Sequence, residues 1–552
     1  MKRALMLFFI AIAIPAFGDT TTIEGKITGY DGKPLPMAQV TLTRFLAKYR
    51  SPTGEIKKLA HADVAPDGSY RLQTADTGLL KLEITGVGCY ECDLPVRVEP
   101  HVHITMSVQL KPYEYYDTID SVEIVGYSRR YFSPVSQMMK KNTDGTFSAE
   151  FVAKGDTFAY ELKGIENTGR GVNGTQSDSY MYDGDGDYRS VVHVQNDTAR
   201  IVFDPKLLHR VHGTVNVVSQ PQDMSDFATT YQDVKKREDN FDEFATENRY
   251  LQATLKTEGK KQLNEIVAKI EHEKDPSIRE LWYLAYFHIG ECGIMFHDPI
   301  GDSVFAQQGL KEISPSSPMW GLEGADVAYA AAVAGTGAGL DYFNTFLDRY
   351  PDSTAKGLSL LKLLGILKVA GLHHLQEVYY KRVMNDYASS SMWSEAAKAY
   401  YDPDARVVEG SIIPAFSVHS VDDSSVVFTD QSLRGKYYLI DLWATWCGPC
   451  VGEMPTLHNA FQKFKGRNFD ILSISMDESS SSVVAFHKKK WKMPWHNAFS
   501  EGIWNSAIAK TFEVLAIPKP MLVDPTGKII AMGTDLRGPE LEKTLEYFLP
   551  KN

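Results

Sequence analysis

Alternation of apolar and polar residues is the dominant pattern over the first two fifths of the chain. Residues 21–28 and 38–43 alternate with a period of two, and similar runs separated by Gly and Asp continue to about residue 215. A period of two directs one face of an extended chain to a core and the other to water. The pattern predicts strands in two segments, 19–112 and 113–215, and favours a β-sandwich for each.

The pattern changes near residue 225, where apolar positions take up helical spacing and keep it to about residue 400. Similar short segments recur near Ile313, Tyr350 and Tyr387 at a 37-residue spacing. Such a recurrence is typical of stacked helical hairpins of the tetratricopeptide type. The segment 216–405 is therefore predicted to be a helical domain, either of this repeat type or irregular.

The last segment, 406–552, alternates between strand-like and helix-like runs. Tyr437 to Leu442 is an apolar run suited to a central strand. Large apolar residues then recur at helical spacing, at Met454, Leu457, Phe461 and Phe464. This alternation predicts an α/β domain, which makes the whole chain multidomain.

The first 18 residues form a pattern of their own. Lys2 and Arg3 precede an apolar run over 4–14, and small residues follow before Asp19. A charged start, a short apolar run and a small-residue cleavage site are typical of a secretory signal peptide. We expect cleavage before Asp19 and export to the periplasm of a bacterium. The alternative is an uncleaved membrane anchor.

Charge excludes one class of function. Lys and Arg together number 58 against 70 for Asp and Glu, which gives a formal net charge of −12. A protein that neutralises a phosphate backbone needs a basic face. A nucleic-acid partner is therefore not expected.

Five cysteines fall into two C-x-x-C pairs and a singleton, Cys292. Cys447 and Cys450 lie where the predicted central strand passes into a helix. Only a thiolate attacks a disulfide, and a helix N-terminus stabilises a thiolate. Gly448 and Pro449 keep the turn tight, so that the second sulfur stays within reach. The spacing predicts a redox-active disulfide between Cys447 and Cys450.

The segment "WATWCGPC" resembles the thioredoxin superfamily and, within it, the TlpA/ResA-like periplasmic thiol–disulfide oxidoreductases. "IPAFSVHS", "DILSISMDES" and "AIPKPMLVDPTGKII" extend this resemblance over about residues 410–552. It implies a thioredoxin fold, with Cys447 as the exposed attacking cysteine and Cys450 as the resolving one. Near the N-terminus, "IEGKITGYDGKPLPMAQVTL" resembles the carboxypeptidase-regulatory-like β-sandwich, a module that is usually non-catalytic in its family.

The resemblance also implies roles for four neighbours of the dithiol. Ile517-Pro518 matches the cis-proline that faces the dithiol, where Ile517 can pair with a substrate strand. Asp441 matches the buried acid of thioredoxin, and Glu453 matches an acid near the dithiol in the TlpA/ResA-like group. Their alternatives are a solvated strand-end residue and a helix-surface charge. Trp446 is expected to cover one side of the dithiol, through packing or through substrate contact.

One departure from the family pattern concerns the residues that follow this proline. Lys519-Pro520 stands where the family more often has small polar residues. Substrate preference therefore stays open.

These features together predict an exported enzyme that reduces disulfides of client proteins through a mixed disulfide. The Gly-Pro dipeptide between the cysteines is that of thioredoxin, which is reducing. Because the periplasm is oxidising, electrons would come from a membrane donor of the CcdA/DsbD type. No cofactor and no metal are expected, and the oligomeric state is left open.

Alternative functions are a disulfide donor or isomerase, and a binding or scaffold protein with an accessory redox domain. A thiol peroxidase would carry a Pro-x-x-x-Thr-x-x-Cys setting, which does not precede Cys447.

Four further signals are weaker. Cys89 and Cys92 lack a following helix pattern, so they are either a structural or incidental pair or a redox partner of the C-terminal dithiol. The Asp-rich run 183–187 predicts a turn rather than a calcium loop. Cys292 is expected to be a buried thiol, and the adjacent pair His373-His374 is not expected to bind a metal.

Overall fold

A computed structural model describes most of the chain, in two compact units, Met1–Leu363 and Leu364–Asn552. The predicted signal peptide, Cys292 and residues 184–187 lie outside the described residues. The described ranges are 20–35, 37–46, 56–127, 135–166, 179–183, 188–208, 210–248, 251–291, 300–322 and 326–550.

The first unit begins with two four-stranded sheets that share one core of aliphatic side chains. One sheet has the strand order β16-β7-β1-β4 and the other β3-β2-β5-β6. Their strands are β1 (Thr21–Thr28), β2 (Gln39–Thr43), β3 (Ala60–Asp63), β4 (Ser69–Thr74), β5 (Gly78–Thr85), β6 (Cys92–Val98), β7 (His103–Gln109) and β16 (Asn216–Gln220).

Strand β16 returns to this sheet from a distant part of the sequence. It pairs antiparallel with β7, with Val217 opposite Val108. Sequence patterning placed the start of the helical segment at 216, whereas its first helix begins at Gln222. The burial of β16 alternates along the strand, which is the period-two pattern of a half-buried strand rather than of a helix.

A second pair of sheets, also around a shared core, lies between β7 and β16 in the sequence. The strand orders are β10-β11-β15 and β13-β14-β12-β8-β9. The strands are β8 (Glu123–Tyr127), β9 (Val135–Met138), β10 (Lys140–Lys141), β11 (Phe147–Val152), β12 (Thr157–Lys163), β13 (Ser179–Tyr182), β14 (Tyr188–His193) and β15 (Thr198–Phe203).

Helices follow from residue 222, as the 3.6-residue spacing predicts. Among the described residues, no helix is both long enough and apolar enough to cross a membrane. The helices are α1 (Gln222–Glu247), α2 (Gln252–His272), α3 (Pro276–Glu291), α4 (Ser303–Glu312), α5 (Asp326–Ala334), α6 (Ala338–Arg349), α7 (Ser353–Val369), α8 (His373–Asp386) and α9 (Ala396–Tyr401).

The C-terminal part is an α/β domain around a seven-stranded sheet of order β18-β17-β21-β20-β19-β22-β23. Its elements are β17 (Ser417–Ser420), β18 (Val427–Thr429), β19 (Tyr437–Trp443), α10 (Gly448–Gly452), α11 (Met454–Phe464), β20 (Phe469–Ser475), α12 (Ser480–Lys489), β21 (His496–Phe499), α13 (Ala507–Thr511), β22 (Lys519–Val523), β23 (Ile529–Met532) and α14 (Gly538–Phe548).

Strand β19 is central to this sheet and is buried on both faces. It pairs parallel with β20 and antiparallel with β22. Leu439 and Trp443 belong to one core with α11 and α14, and Tyr438 and Ile440 belong to the core on the opposite face. The strand ends at Trp443, so it delivers the following residues to the edge of the sheet where the dithiol lies.

Candidate functional site

The dithiol lies at the start of the first helix after β19. Cys447 is the N-cap of α10, and Pro449 lies in the first helical turn, where a missing N–H costs nothing. Cys447 and Cys450 form a disulfide with an S–S distance of 2.05 Å and a Cα–Cα distance of 5.3 Å. The backbone N–H of Cys450 donates to Sγ of Cys447 at 3.2 Å. The helix start therefore offers a hydrogen bond to the sulfur that would carry charge after reduction.

Both cysteines are largely covered in this oxidised state. Cys447 is 5% exposed and Cys450 is 2% exposed, whereas the resemblance implied an exposed attacking cysteine. The bond holds both sulfurs against the first helical turn, and Sγ of Cys447 lies 3.8 Å from the carbonyl oxygen of Ile517. The residues around the pair remain open to solvent: Gly448 and Pro449 are exposed, and Trp446 is 53% exposed.

The loop before β22 faces the dithiol. The peptide bond between Ile517 and Pro518 is cis. Lys519 follows and donates its ammonium to the carbonyl oxygens of Phe512 at 2.7 Å and Glu513 at 2.8 Å. Burial lowers the pKa of Lys519 to about 8. Lys519, which departs from the family pattern, thus holds the end of α13 next to this loop.

Asp441 is a buried acid on β19, on the same face as Leu439 and Trp443. Ser473 Oγ donates to its carboxylate at 3.2 Å, and Trp495 Nε1 donates to Ser473 Oγ at 2.9 Å. Burial raises the pKa of Asp441 to about 7, and the charge of Glu453 adds to this rise, while the Ser473 hydrogen bond opposes it. The side chain is therefore not solvated and can exchange a proton near neutral pH.

Glu453 lies between α10 and α11 and is held by the start of α14. Its Oε1 accepts a hydrogen bond from Nε of Arg537 at 3.1 Å. Its Oε2 accepts one from the backbone N–H of Gly538 at 2.8 Å. This pairing fixes a negative charge beside the dithiol helix and ties that helix to α14.

Asp477, which sequence reasoning did not single out, fixes the loop that enters the dithiol. It is buried just after β20. Its carboxylate accepts hydrogen bonds from the backbone N–H of Thr445 at 3.1 and 3.2 Å and from the hydroxyl of Thr445 at 2.6 Å. Ser475 Oγ also donates to it at 2.7 Å. The only sequence signal was an acid directly after a buried strand, which has many other uses.

Asp477→Ala is expected to lower the free energy of unfolding by about 3 kcal/mol, because it leaves the half-buried donors of Thr445 and the buried hydroxyl of Ser475 without an acceptor. Backbone amides around Thr445 should exchange with deuterium faster than in the wild type. Asp423→Ala is the matched control, since Asp423 caps only its own exposed turn at Ser425. Equal exchange at Thr445 in the two variants would contradict this role of Asp477.

The second cysteine pair lies in the first unit, with Cys92 at the start of β6. Both thiols are free and buried. Burial raises the pKa of Cys89 to about 12 and that of Cys92 further. Thiols held protonated react slowly, which is the behaviour expected of a structural or incidental pair.

Comparison with known proteins agrees with the geometry of the last domain. Residues 410–532 match the model of the AhpC/TSA family. Thiol-disulfide oxidoreductase ResA of Bacillus cereus is 27% identical over 154 residues, which are 28% of this chain and 84% of that protein. Tryparedoxin of Trypanosoma brucei brucei is 38% identical over 109 residues, which are 19% of this chain and 72% of that protein.

Among solved structures, the thioredoxin domain of a thiol-disulfide oxidoreductase from Bacteroides vulgatus is 28% identical. It covers 26% of this chain and 99% of its own, with a TM-score of 0.24. The resemblance of residues 410–552 to the thioredoxin superfamily is confirmed by the family match and the curated relatives. Through this C-terminal domain, the chain belongs to the thioredoxin-like family of thiol-disulfide oxidoreductases.

Proposed function

We propose that this chain reduces disulfides of client proteins through Cys447 and Cys450. The observation that carries the proposal is the Cys447–Cys450 disulfide at the N-terminus of α10, with the Cys450 N–H directed at Sγ of Cys447. In the reduced chain the same N–H stabilises the Cys447 thiolate.

The reaction transfers two electrons in two exchanges. Sγ of Cys447 attacks one sulfur of the client disulfide and forms a mixed disulfide, and the other client sulfur leaves as a thiolate. Cys450 then loses its proton and attacks Sγ of Cys447. The second client sulfur leaves, and the chain is left with the disulfide that the structure holds.

Asp441 is the base for the second exchange. Its pKa of about 7 lets its carboxylate take the Cys450 proton at neutral pH and release it afterwards. Glu453 keeps a fixed negative charge nearby through Arg537 and Gly538. The backbone of Ile517 pairs with the client chain next to the target cysteine, within reach of Cys447.

Export and electron supply complete the proposal. Residues 1–18 carry the pattern of a cleaved signal peptide, so the mature chain would begin at Asp19 in the bacterial periplasm. A reductase in an oxidising compartment has to be reduced again, and a membrane donor of the CcdA/DsbD type would supply the electrons. The intact mass of the exported chain checks the cleavage.

The long N-terminal part would serve client capture or targeting rather than catalysis. The shared cores of the paired sheets support a β-sandwich for 19–112 and for 113–215. The run of helices from Gln222 to Tyr401 supports a helical domain that begins after β16 and is either of the repeat type or irregular. Insulin reduction by a chain that lacks 19–405 separates these roles. Full activity of this chain would assign catalysis to 406–552. Loss of its activity would favour a binding or scaffold protein.

The direction of electron flow follows from the reduction potential of the full chain. A reductant should equilibrate near the thioredoxin value of about −270 mV, because Gly448 and Pro449 separate the cysteines as in thioredoxin. Equilibration with glutathione or dithiothreitol buffers, followed by alkylation and mass spectrometry of Cys447 and Cys450, measures it. A value near about −120 mV would make the protein a disulfide donor instead.

A further inference from the structure

The exposed surface around the dithiol carries an aromatic pair that neither exchange step uses. The indoles of Trp446 and Trp504 meet edge to face, with ring centroids 6.3 Å apart. Trp446 is 53% exposed and Trp504 is 44% exposed. Leu515, in the loop that leads to Ile517, is 62% exposed.

The backbone holds Trp504 at this surface. Trp504 lies in a single 3-10 turn, Ile503–Asn505, directly after Gly502, whose φ is +101°. Ile503 has a φ of +47°, which is an uncommon conformation for a β-branched residue. On the other side, Ser506 caps α13 by accepting a hydrogen bond from the N–H of Ala509 at 2.9 Å. A large apolar side chain is thus presented to water by a tightly defined segment rather than by a loose loop.

Two of these exposed side chains lie close in the sequence to residues at the reacting sulfur. Trp446 is covalently next to Cys447, and Leu515 is two residues before Ile517, whose carbonyl oxygen lies 3.8 Å from Sγ of Cys447. A client chain that brings a sulfur to Cys447 approaches Trp446, its neighbour in the sequence, and the Ile517 loop. Large aromatic side chains contribute the most binding free energy when a partner removes them from water.

We infer that Trp504, together with Trp446, is a specificity-determining residue that selects client segments with a large apolar side chain next to the disulfide-bonded cysteine. The inference rests on the proposed function and adds to it the class of client segment. The occupant is an extended client chain, because its cysteine has to reach Cys447 beside the backbone of Ile517. Acidic neighbours of the target cysteine would lose hydration against the indoles without gaining a partner.

The test compares two disulfide substrates on the full, reduced chain. One is a synthetic peptide disulfide with Leu beside each cysteine, and the other is oxidised glutathione, which has no large apolar side chain. In Trp504→Ala, the ratio of kcat/KM for the Leu peptide to that for glutathione should fall about tenfold. Trp504→Phe should restore most of that ratio. Tyr547→Ala, which removes a similarly exposed aromatic ring on α14, should leave the ratio as in the wild type.

An unchanged ratio in Trp504→Ala or an equal fall in Tyr547→Ala would overturn the inference. So would a wild-type chain that reduces an Asp-flanked peptide as well as the Leu-flanked one. Sedimentation that shows a wild-type dimer converted to a monomer by Trp504→Ala would assign the pair to a second copy of this chain and also overturn it. A wild-type chain that reduces no disulfide at all would contradict the proposed function itself, which distinguishes the two failures.

Discussion

Replacing Cys447 with Ser is expected to lower the rate of client disulfide reduction by about three orders of magnitude or more, as the loss of a catalytic nucleophile does in other enzymes. Serine has no thiolate at neutral pH, and the helix start that stabilises the sulfur anion cannot supply one. The measurement is insulin reduction by the full chain under steady-state conditions with an excess of dithiothreitol.

Cys450→Ser should block the second exchange of the reaction rather than the first. Its Cys447 can still attack, but nothing resolves the mixed disulfide, so a client should stay covalently bound and be identified by mass spectrometry. The matched control is Cys92→Ser, because Cys92 is buried and its burial raises the pKa of its thiol. It should retain wild-type activity. Activity in Cys447→Ser, or its loss in the Cys92 control, would contradict the assignment of the dithiol.

Asp441→Asn is expected to slow resolution of the mixed disulfide about 100-fold, because an amide cannot accept the Cys450 proton. In the wild type the rate should rise as pH increases through about 7, where Asp441 becomes a carboxylate. The variant should lose this rise. Rapid acid quenching of single turnovers, with the mixed disulfide quantified by mass spectrometry, follows the step directly.

The same carboxyl should also affect stability, in a defined pH window. Its pKa is raised from 3.8 to about 7 in the folded chain, so the folded state binds more protons than the unfolded state between these values. The contribution of Asp441 to stability is therefore fully present below pH 3.8 and is lost as pH rises through about 7. This loss lowers the free energy of unfolding by up to about 4 kcal/mol. Hydrogen exchange of β19 amides at pH 8 should be slower in Asp441→Asn than in the wild type.

Glu453→Gln tests the cause of that raised pKa. The charge of Glu453 contributes to it, so the variant should move the pH midpoint of resolution to lower pH without abolishing the step. Glu542→Gln is a matched control, since Glu542 pairs with Lys463 on exposed parts of the domain. An unchanged midpoint in Glu453→Gln would leave burial alone as the cause.

Predictions from the sequence were most accurate where the signal was local. The apolar run at 437–442 and the helical spacing after it placed a strand before the dithiol and a helix after it, as the structure has them. Strand Asn216–Gln220 was missed because its partner β7 lies about 110 residues away, and five residues are too few to show their period against the helical pattern that follows.

The residues of the candidate site also fall into those that the local sequence predicts and those that it does not. The positions of Cys447 and Cys450 follow from their spacing and their place at a helix start. Asp477 and Trp504 could not be found by these means, because they reach the site from β20 and from the turn before α13. An acid after a strand, or a tryptophan in a loop, has no distinctive pattern along the chain.

By itself the sequence determined the multidomain organisation, the α/β character of the last domain and the position of the dithiol at a helix start, since these depend on periodicity and on neighbours within a few residues. Only the tertiary structure decided that both sulfurs are covered in the oxidised state, that burial brings the pKa of Asp441 to about 7, and that Lys519 holds α13. The physical reason is that desolvation, hydrogen-bond partners and exposed surfaces depend on residues brought together from distant segments.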